Sequence, residues 1–152
     1  MALAAHEIIL RTSSAVSTPF VTDYSTAEAA GTDMAGAKDV TLSNSADILD
    51  TTAFDDSTSF RTKLSGLKDA SMSFSANFEA GTGDGSVKDI FDALSGGETR
   101  HYFIGLTGAG ATTEAGFAAS GVIESVEITG AVDGLVEASI SVQLSGAPEF
   151  LS

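Results

Sequence analysis

Period-two alternation of apolar and polar side chains runs through much of this chain. It is cleanest in two places. From Val136 to Leu144, the apolar Val136, Ala138, Ile140, Val142 and Leu144 alternate strictly with Glu137, Ser139, Ser141 and Gln143. From Ala70 to Glu79, Met72, Phe74, Ala76 and Phe78 face one way, and Ser71, Ser73, Ser75, Asn77 and Glu79 the other. Successive side chains of a strand point to opposite faces, so each run predicts a strand with a core face and a wet face. A third run sets Val122, Val126 and Ile128 against Ser125, Glu127 and Thr129, with Glu124 as the exception on the apolar side. Asp133-Gly134 separates it from the Val136 run. Alternation on both sides of Asp-Gly predicts a long β-hairpin over 121–146, closed by a two-residue type I′ turn with φ > 0 at both central positions.

The remaining elements are shorter. Ile8, Ile9 and Leu10 between Glu7 and Arg11 read as a short strand, Lys38 to Ser43 as another, and His101 to Thr107 as a third, while Phe117 to Ser120 leads into the hairpin. One helix is expected over 86–95. Ser86 is its N-cap, and Asp89 stands where a capping box places its acid. Val87, Ile90, Phe91 and Leu94 form a single apolar stripe, and Gly96-Gly97 ends the helix. A single stripe lays the helix against a sheet, not inside it. The Ser/Thr/Ala-rich N-terminal segment through residue 36, with Pro19, reads as loop plus one strand near Phe20-Val21-Thr22. The glycine clusters Gly81–Gly85 and Gly108–Gly110 read as turns. Asn44 to Gly66 shows no sustained period and is expected to be a long loop, a length that usually signals function. It holds Phe54 and Phe60 beside Asp55, Asp56, Arg61 and Lys63. Two readings fit: the rings fold back onto the core, or the loop docks on another subunit.

Composition narrows what such a protein can do. The 152 residues fit one domain, 1–152. The net charge is −14, with only seven Lys and Arg in the chain, too few to neutralise a run of phosphates. Tight nucleic-acid binding is thereby disfavoured, whereas an acidic surface can coexist with DNA without holding it. Absence of Cys removes disulfides, thiolate metal sites and Cys nucleophiles. His6 and His101 lie in expected strands with no carboxylate at ligand spacing. GTGDGS lacks the Lys-Ser/Thr that closes a phosphate loop. Adjacent Asp55 and Asp56 are best read as solvating a loop. No catalytic residue, metal or cofactor is expected, and the chain is not expected to be an enzyme. Neither a secretory signal nor a membrane-spanning run is recognisable, so no membrane insertion is expected.

Several stretches together carry a family likeness: Asp39-Val-Thr-Leu, then Asp55-Asp-Ser through Arg61 ahead of Gly66-Leu67-Lys68-Asp69, the alternating Ser71 to Asn77, and the closing GVIESVEITGAVDGLVEASISVQLSGAPEF. In order and texture, over roughly residues 37 to 150, the chain resembles the tail tube proteins of long-tailed bacteriophages. The resemblance implies a mainly β fold, an antiparallel β-sandwich or barrel with one flanking α-helix and a long inter-subunit loop. It implies a structural virion protein that self-assembles as hexameric rings stacked into the tail tube, the conduit for DNA ejection into the host. The partners implied are further copies of itself, a tape measure protein and tail completion proteins, with DNA passing through without specific binding. The location implied is the virion tail, after synthesis in the host cytoplasm. The inner tube of contractile secretion-like machines shares this fold and is one alternative. A monomeric carbohydrate-type β-sandwich module is another, poorly served by a chain with no Trp and two Tyr, Tyr24 and Tyr102.

Under this resemblance the lumen-facing residues are expected to be Ser71, Ser73, Ser75, Asn77, Ser125, Glu127, Thr129, Glu137, Ser139, Ser141 and Gln143. The ring-stacking loop is expected to use Phe54, Asp55, Asp56, Phe60, Arg61 and Lys63. The turn residues are Asp133 and Gly134.

Overall fold

The computed structural model describes residues 8–13, 31–34, 36–53, 60–78, 83, 85–106 and 115–151. Its strands are β1 (Ile9–Ser13), β2 (Thr32–Asp33), β3 (Ala37–Asp50), β4 (Lys63–Asn77), β5 (Thr99–Gly105), β6 (Gly116–Thr129), β7 (Glu137–Leu144) and β8 (Glu149–Leu151). The helix α1 spans Val87–Gly96. All strands join one antiparallel 8-stranded sheet in the order β2-β1-β5-β6-β7-β4-β3, with β8 paired to β6. Among the described residues the protein is mainly β with one flanking helix.

β6 changes partner halfway along. Gly116 to Val122 pairs with β5, and Gly121 to Thr129 pairs with β7 on the other side. At Gly121 both neighbours are present, Arg100 across one edge and Leu144 across the other. A Cβ built there would sit 2.5 Å from the Gln143 carbonyl oxygen, so only glycine allows the backbones to approach this closely. Beyond this point the sheet curls back on itself. Phe74 of β4 and Tyr102 of β5 bring their rings to 6.2 Å, although β6 and β7 lie between their strands in the sheet.

The enclosed core joins Met72, Phe74 and Ala76 of β4 with Ala138, Ile140 and Val142 of β7. Leu10, Tyr102 and Ile104 close it from the other half of the sheet, and Val87, Ile90 and Ala93 of α1 cap it. A second cluster, Phe103, Ala118 and Leu151, occupies the opposite face of β5 and β6. β5 is therefore buried on both sides, and for that reason Arg100-His101-Tyr102-Phe103-Ile104 shows no alternation.

α1 begins and ends as its sequence dictates. Ser86 Oγ accepts from the Asp89 N–H at 3.2 Å, and Asp89 accepts in return from the Gly85 N–H at 3.1 Å. Gly97 stops the helix at φ 63°, with the N–H groups of Gly97 and Glu98 donating to Leu94 and Ala93. The buried Arg100 guanidinium grips the Asp89 carboxylate through two bonds of 2.7 and 2.8 Å, locking the helix to β5.

Four expectations need correction. The hairpin of β6 and β7 forms, but its loop runs over residues 130–136, with Gly134 N–H donating to the Ala131 carbonyl at 3.2 Å. Neither Asp133 nor Gly134 has positive φ, so the turn is not type I′. A Cβ at Gly134 would meet only Ala131 Cβ, at an ordinary 3.5 Å, so glycine is not required there. Val136 lies in that loop and is exposed. Second, the β6–β7 register shifts between Ile123 and Ser125, which leaves Glu124 as the extra residue of a bulge. Ahead of the bulge the parity reverses: Ile123 points into the core, and Val122 lies outside, opposite Gln143. Third, Phe91 of α1 is exposed and Ala93 takes the buried place, with Leu94 half-buried. Fourth, Asn44 to Gly66 is not a continuous loop. β3 runs on to Asp50 and β4 starts at Lys63, and a register shift between Ala46 and Ile48 hides their alternation. Phe20-Val21-Thr22 and His6 lie outside the described residues.

Candidate functional site

The side of β4 and β7 turned away from the core carries short polar side chains in register. Ser71 stands opposite Gln143, Ser73 opposite Ser141, Ser75 opposite Ser139 and Asn77 opposite Glu137. β6 continues the rows with Ser125 beside Ser141, Glu127 beside Ser139 and Thr129 beside Glu137. The proposed polar set thus falls on one face of three adjacent strands. Their partners in the alternation, Met72, Phe74, Ala76, Ala138, Ile140 and Val142, are all buried.

β3 adds a fourth column that the sequence reading left out. Ser43 pairs with Ser71, Thr41 with Ser73 and Asp39 with Ser75. The signal was present in the alternation of Val40 and Leu42 with Asp39, Thr41 and Ser43. What the sequence could not supply was the pairing of β3 with β4. A shallow depression of ≈ 270 Å³ lies across this face, floored by Thr41, Ser73, Ser139 and Ser141. Ser75 Oγ donates to Asp39 at 3.1 Å, Gln143 Nε2 donates to Asp69 at 2.7 Å, and Lys38 forms an ion pair with Glu137. The charges on the face are mostly acidic: Asp39, Glu127 and Glu137 against Lys38. An exposed pair of this kind contributes about 0–1 kcal/mol, so it tunes the surface more than it holds the fold.

Both long edges of this four-stranded wall are open among the described residues. On one side β3 pairs only with β4. On the other, β5 stops at the pair Thr99–Val122, leaving Ile123 to Thr129 with a partner on the β7 side alone. Open edges invite pairing with a further strand.

At one end of the wall, β3 and β4 continue without β6 and β7. Asn44–Asp50 and Lys63–Asp69 form a two-stranded arm exposed on both faces. Asp50 accepts from the hydroxyl and the N–H of Thr52, which lowers its carboxyl below the usual range. Arg61 lies 3.7 Å from Asp50. Phe60 is exposed and Lys63 opens β4 opposite Asp50. Phe54, Asp55 and Asp56 lie outside the described residues.

His101 Nδ1 lies 2.6 Å from Ser120 Oγ, but the pair faces the cluster around Phe103 and not a cleft. Burial pushes the His101 pKa down, and burial beside Phe74 raises that of Tyr102.

Solved structures from tails and tubes share this architecture. The tail of an empty GTA particle, refined with C6 symmetry, matches with a TM-score of 0.72 at 16% identity over 99% of this chain and 100% of that one. The SPP1 tail tube matches with a TM-score of 0.70 at 17% identity, over 99% of this chain and 80% of that one. The sheath–tube complex of an extracellular contractile injection system (PVC, extended state) gives a TM-score of 0.68 at 11% identity, covering 99% and 92%. No curated protein matches the chain in sequence. The fold is therefore that of tail tube subunits. The phage tail tube protein family matches residues 20–150, and the chain belongs to that family. It is a structural protein of the virion tail. The match begins ahead of residue 37, where the sequence resemblance starts, so part of the N-terminal segment belongs to the family pattern as well.

Proposed function

We propose that the whole chain acts as one tail-tube domain, with no enzymatic role. Six copies close into a ring and rings stack into the conduit through which DNA leaves the virion. The observation that carries this reading is the four-stranded wall itself, polar on one face, packed on the other, and open at both edges. β3, β4, β7 and β6 alternate in direction, so the β3 edge of one copy meets the β6 edge of the next in the same antiparallel sense. Rotational symmetry then joins identical seams into a barrel without an edge. Six such walls make about 24 strands, and at ~4.8 Å spacing and a tilt of roughly 35–45° the backbone diameter is roughly 45–50 Å. The bore would be lined by the Ser, Thr, Asn, Gln and Glu rows, wide enough for a duplex and acidic enough not to hold it.

The C6 symmetry of the GTA tail supports the ring size. The arm of β3 and β4 is the natural ring-stacking element, with Phe60, Arg61 and Lys63 at its end. Tape measure and tail completion proteins would complete the assembly. The family match favours this reading over a carbohydrate-type module and over a contractile-machine inner tube.

Negative-stain microscopy of the purified chain at rising concentration tests assembly. Rings and tubes are expected, and compact monomers at every concentration would overturn the reading. For the bore, replacing Ser73, Ser139 and Ser141 together by Lys should leave assembly intact but slow DNA ejection, because each ring would gain cations facing the phosphates. Unchanged ejection would remove the lumen assignment.

A further inference from the structure

The two open edges of the wall differ in length. On β6 the free edge covers Ile123 to Thr129. On β3 it covers the whole strand, which overruns β7 and β6 and ends only at Asp50. The other end of β3 has no such overhang. Ahead of Ala37 the chain has already crossed to β1, where Met34 N–H donates to the Leu10 carbonyl at 2.9 Å and Thr32–Asp33 pairs with β1. Within one copy the rows run straight across the strands, so that Asp39, Ser75, Ser139 and Glu127 stand side by side. Resting on the tube reading above, we propose that the seam between two copies of one ring is staggered by four residues toward Asp50. Glu127 of one copy then stands opposite Ser43 of the next.

Barrel geometry demands a stagger. Copies in one ring share a height, but strands tilted by roughly 35–45° and spaced ~4.8 Å slip along their length as the wall is crossed. Over four strands the slip is about four to six residues at ~3.4 Å each. Side chains alternate with period two, so only an even slip keeps every polar row on the bore. The direction follows from the chain, because β3 offers backbone beyond the rows only on the Asp50 side. The chemistry selects four over six. Ile128 has the parity of the core yet is 48% exposed at the free edge. A slip of four sets it against the half-buried Leu42 of the next copy, whereas a slip of six sets it against Asn44. On the bore side a slip of four pairs Thr129 with Thr41, Glu127 with Ser43 and Ser125 with Ser45. Without a slip Glu127 would face Asp39, and like charges directly opposite destabilise a ladder. The overhang of β3 thus gains a partner. Ala37 to Val40 stays clear of the seam and carries Lys38 and Asp39, charges that discourage a stray strand.

The absence of Cys allows a direct test. Two double variants, Ser43→Cys with Glu127→Cys and Leu42→Cys with Ile128→Cys, are assembled under reducing conditions and then oxidised. Adjacent rows of an antiparallel ladder alternate between wide and close pairs, so one of the two variants has the close geometry a disulfide needs. Within one copy β4 and β7 hold these strands roughly 14 Å apart, which excludes a link inside the chain. The expected product of at least one variant is a covalent ladder of chains reaching the hexamer. Asp39→Cys with Glu127→Cys reports the unstaggered seam and should stay monomeric in denaturant. Linking in that control, or tubes in which neither test variant links, would overturn the stagger and leave the tube reading intact. Failure of the unmodified chain to form tubes would remove both. Independently, Ser43→Glu should cut tube yield several-fold by facing Glu127, and adding Glu127→Lys should restore it. No loss, or a loss without rescue, would overturn the register.

Discussion

β3 and β4 pass through two environments within the same pair of strands. Over Ala70–Asn77, one face of β4 is sealed by Met72, Phe74 and Ala76 and the other is wet. Over Lys63–Asp69, both faces are wet and the ladder with Asn44–Asp50 runs on alone. The β3–β4 ladder runs through both halves, so what separates them is that over the wall β4 also pairs with β7 and buries one face. A two-stranded ribbon is marginal in water by itself, whereas a strand in a packed sheet inherits the stability of the core. The arm owes its shape to the wall, and its apolar side chains stay exposed.

Substitutions can press on this contrast from the wall outward. Phe74→Ala removes a buried ring from the centre of the core and should lower unfolding free energy by about 3–5 kcal/mol in a denaturant titration. Asp89→Ala strips the buried Arg100 of its bidentate partner and should cost about 3 kcal/mol by the same measurement. Ser86→Ala removes only the N-cap of α1, so a loss of about 1 kcal/mol is expected.

His101 adds a pH term to the buried half of the sheet. Burial lowers its folded pKa, so below the ordinary value of 6.5 the unfolded chain binds the proton more readily. Folding stability should fall as pH drops through that value, and His101→Gln should flatten the slope. An unchanged slope would mean that another group sets it. The smallest effect belongs to the arm: Leu64→Ala should leave monomer stability within about 0.5 kcal/mol. A loss comparable to that of Phe74→Ala would erase the distinction between arm and wall.

The same contrast explains what could be read from the sequence. Half-buried strands announce themselves, and both the Ser71–Asn77 and Glu137–Gln143 faces were legible because each polar residue alternates with a buried one. β5 was only partly legible, since burial on both faces abolishes the period. The arm was illegible for the opposite reason, because exposure on both faces also abolishes it, and the shift at Ala46/Ile48 breaks what remains. At Glu124 a single bulged residue reversed the parity of Val122 and Ile123. The turn at Asp133-Gly134 misled because its dipeptide is a strong local signal, yet the strands part at Thr129 and Glu137 and leave room for a longer loop. Asp89–Arg100 joins a helix turn to a neighbouring strand, and nothing in the spacing of those residues marks them as partners.

β6 has a mechanical consequence. One uninterrupted backbone belongs to the wall along its second half and to the flanking β5–β1 layer along its first. A load that pushed the wall outward could not peel these two layers apart one hydrogen bond at a time, because covalent bonds run through the junction at Gly121. The load would be carried as tension along the chain, as in a beam built into its buttress.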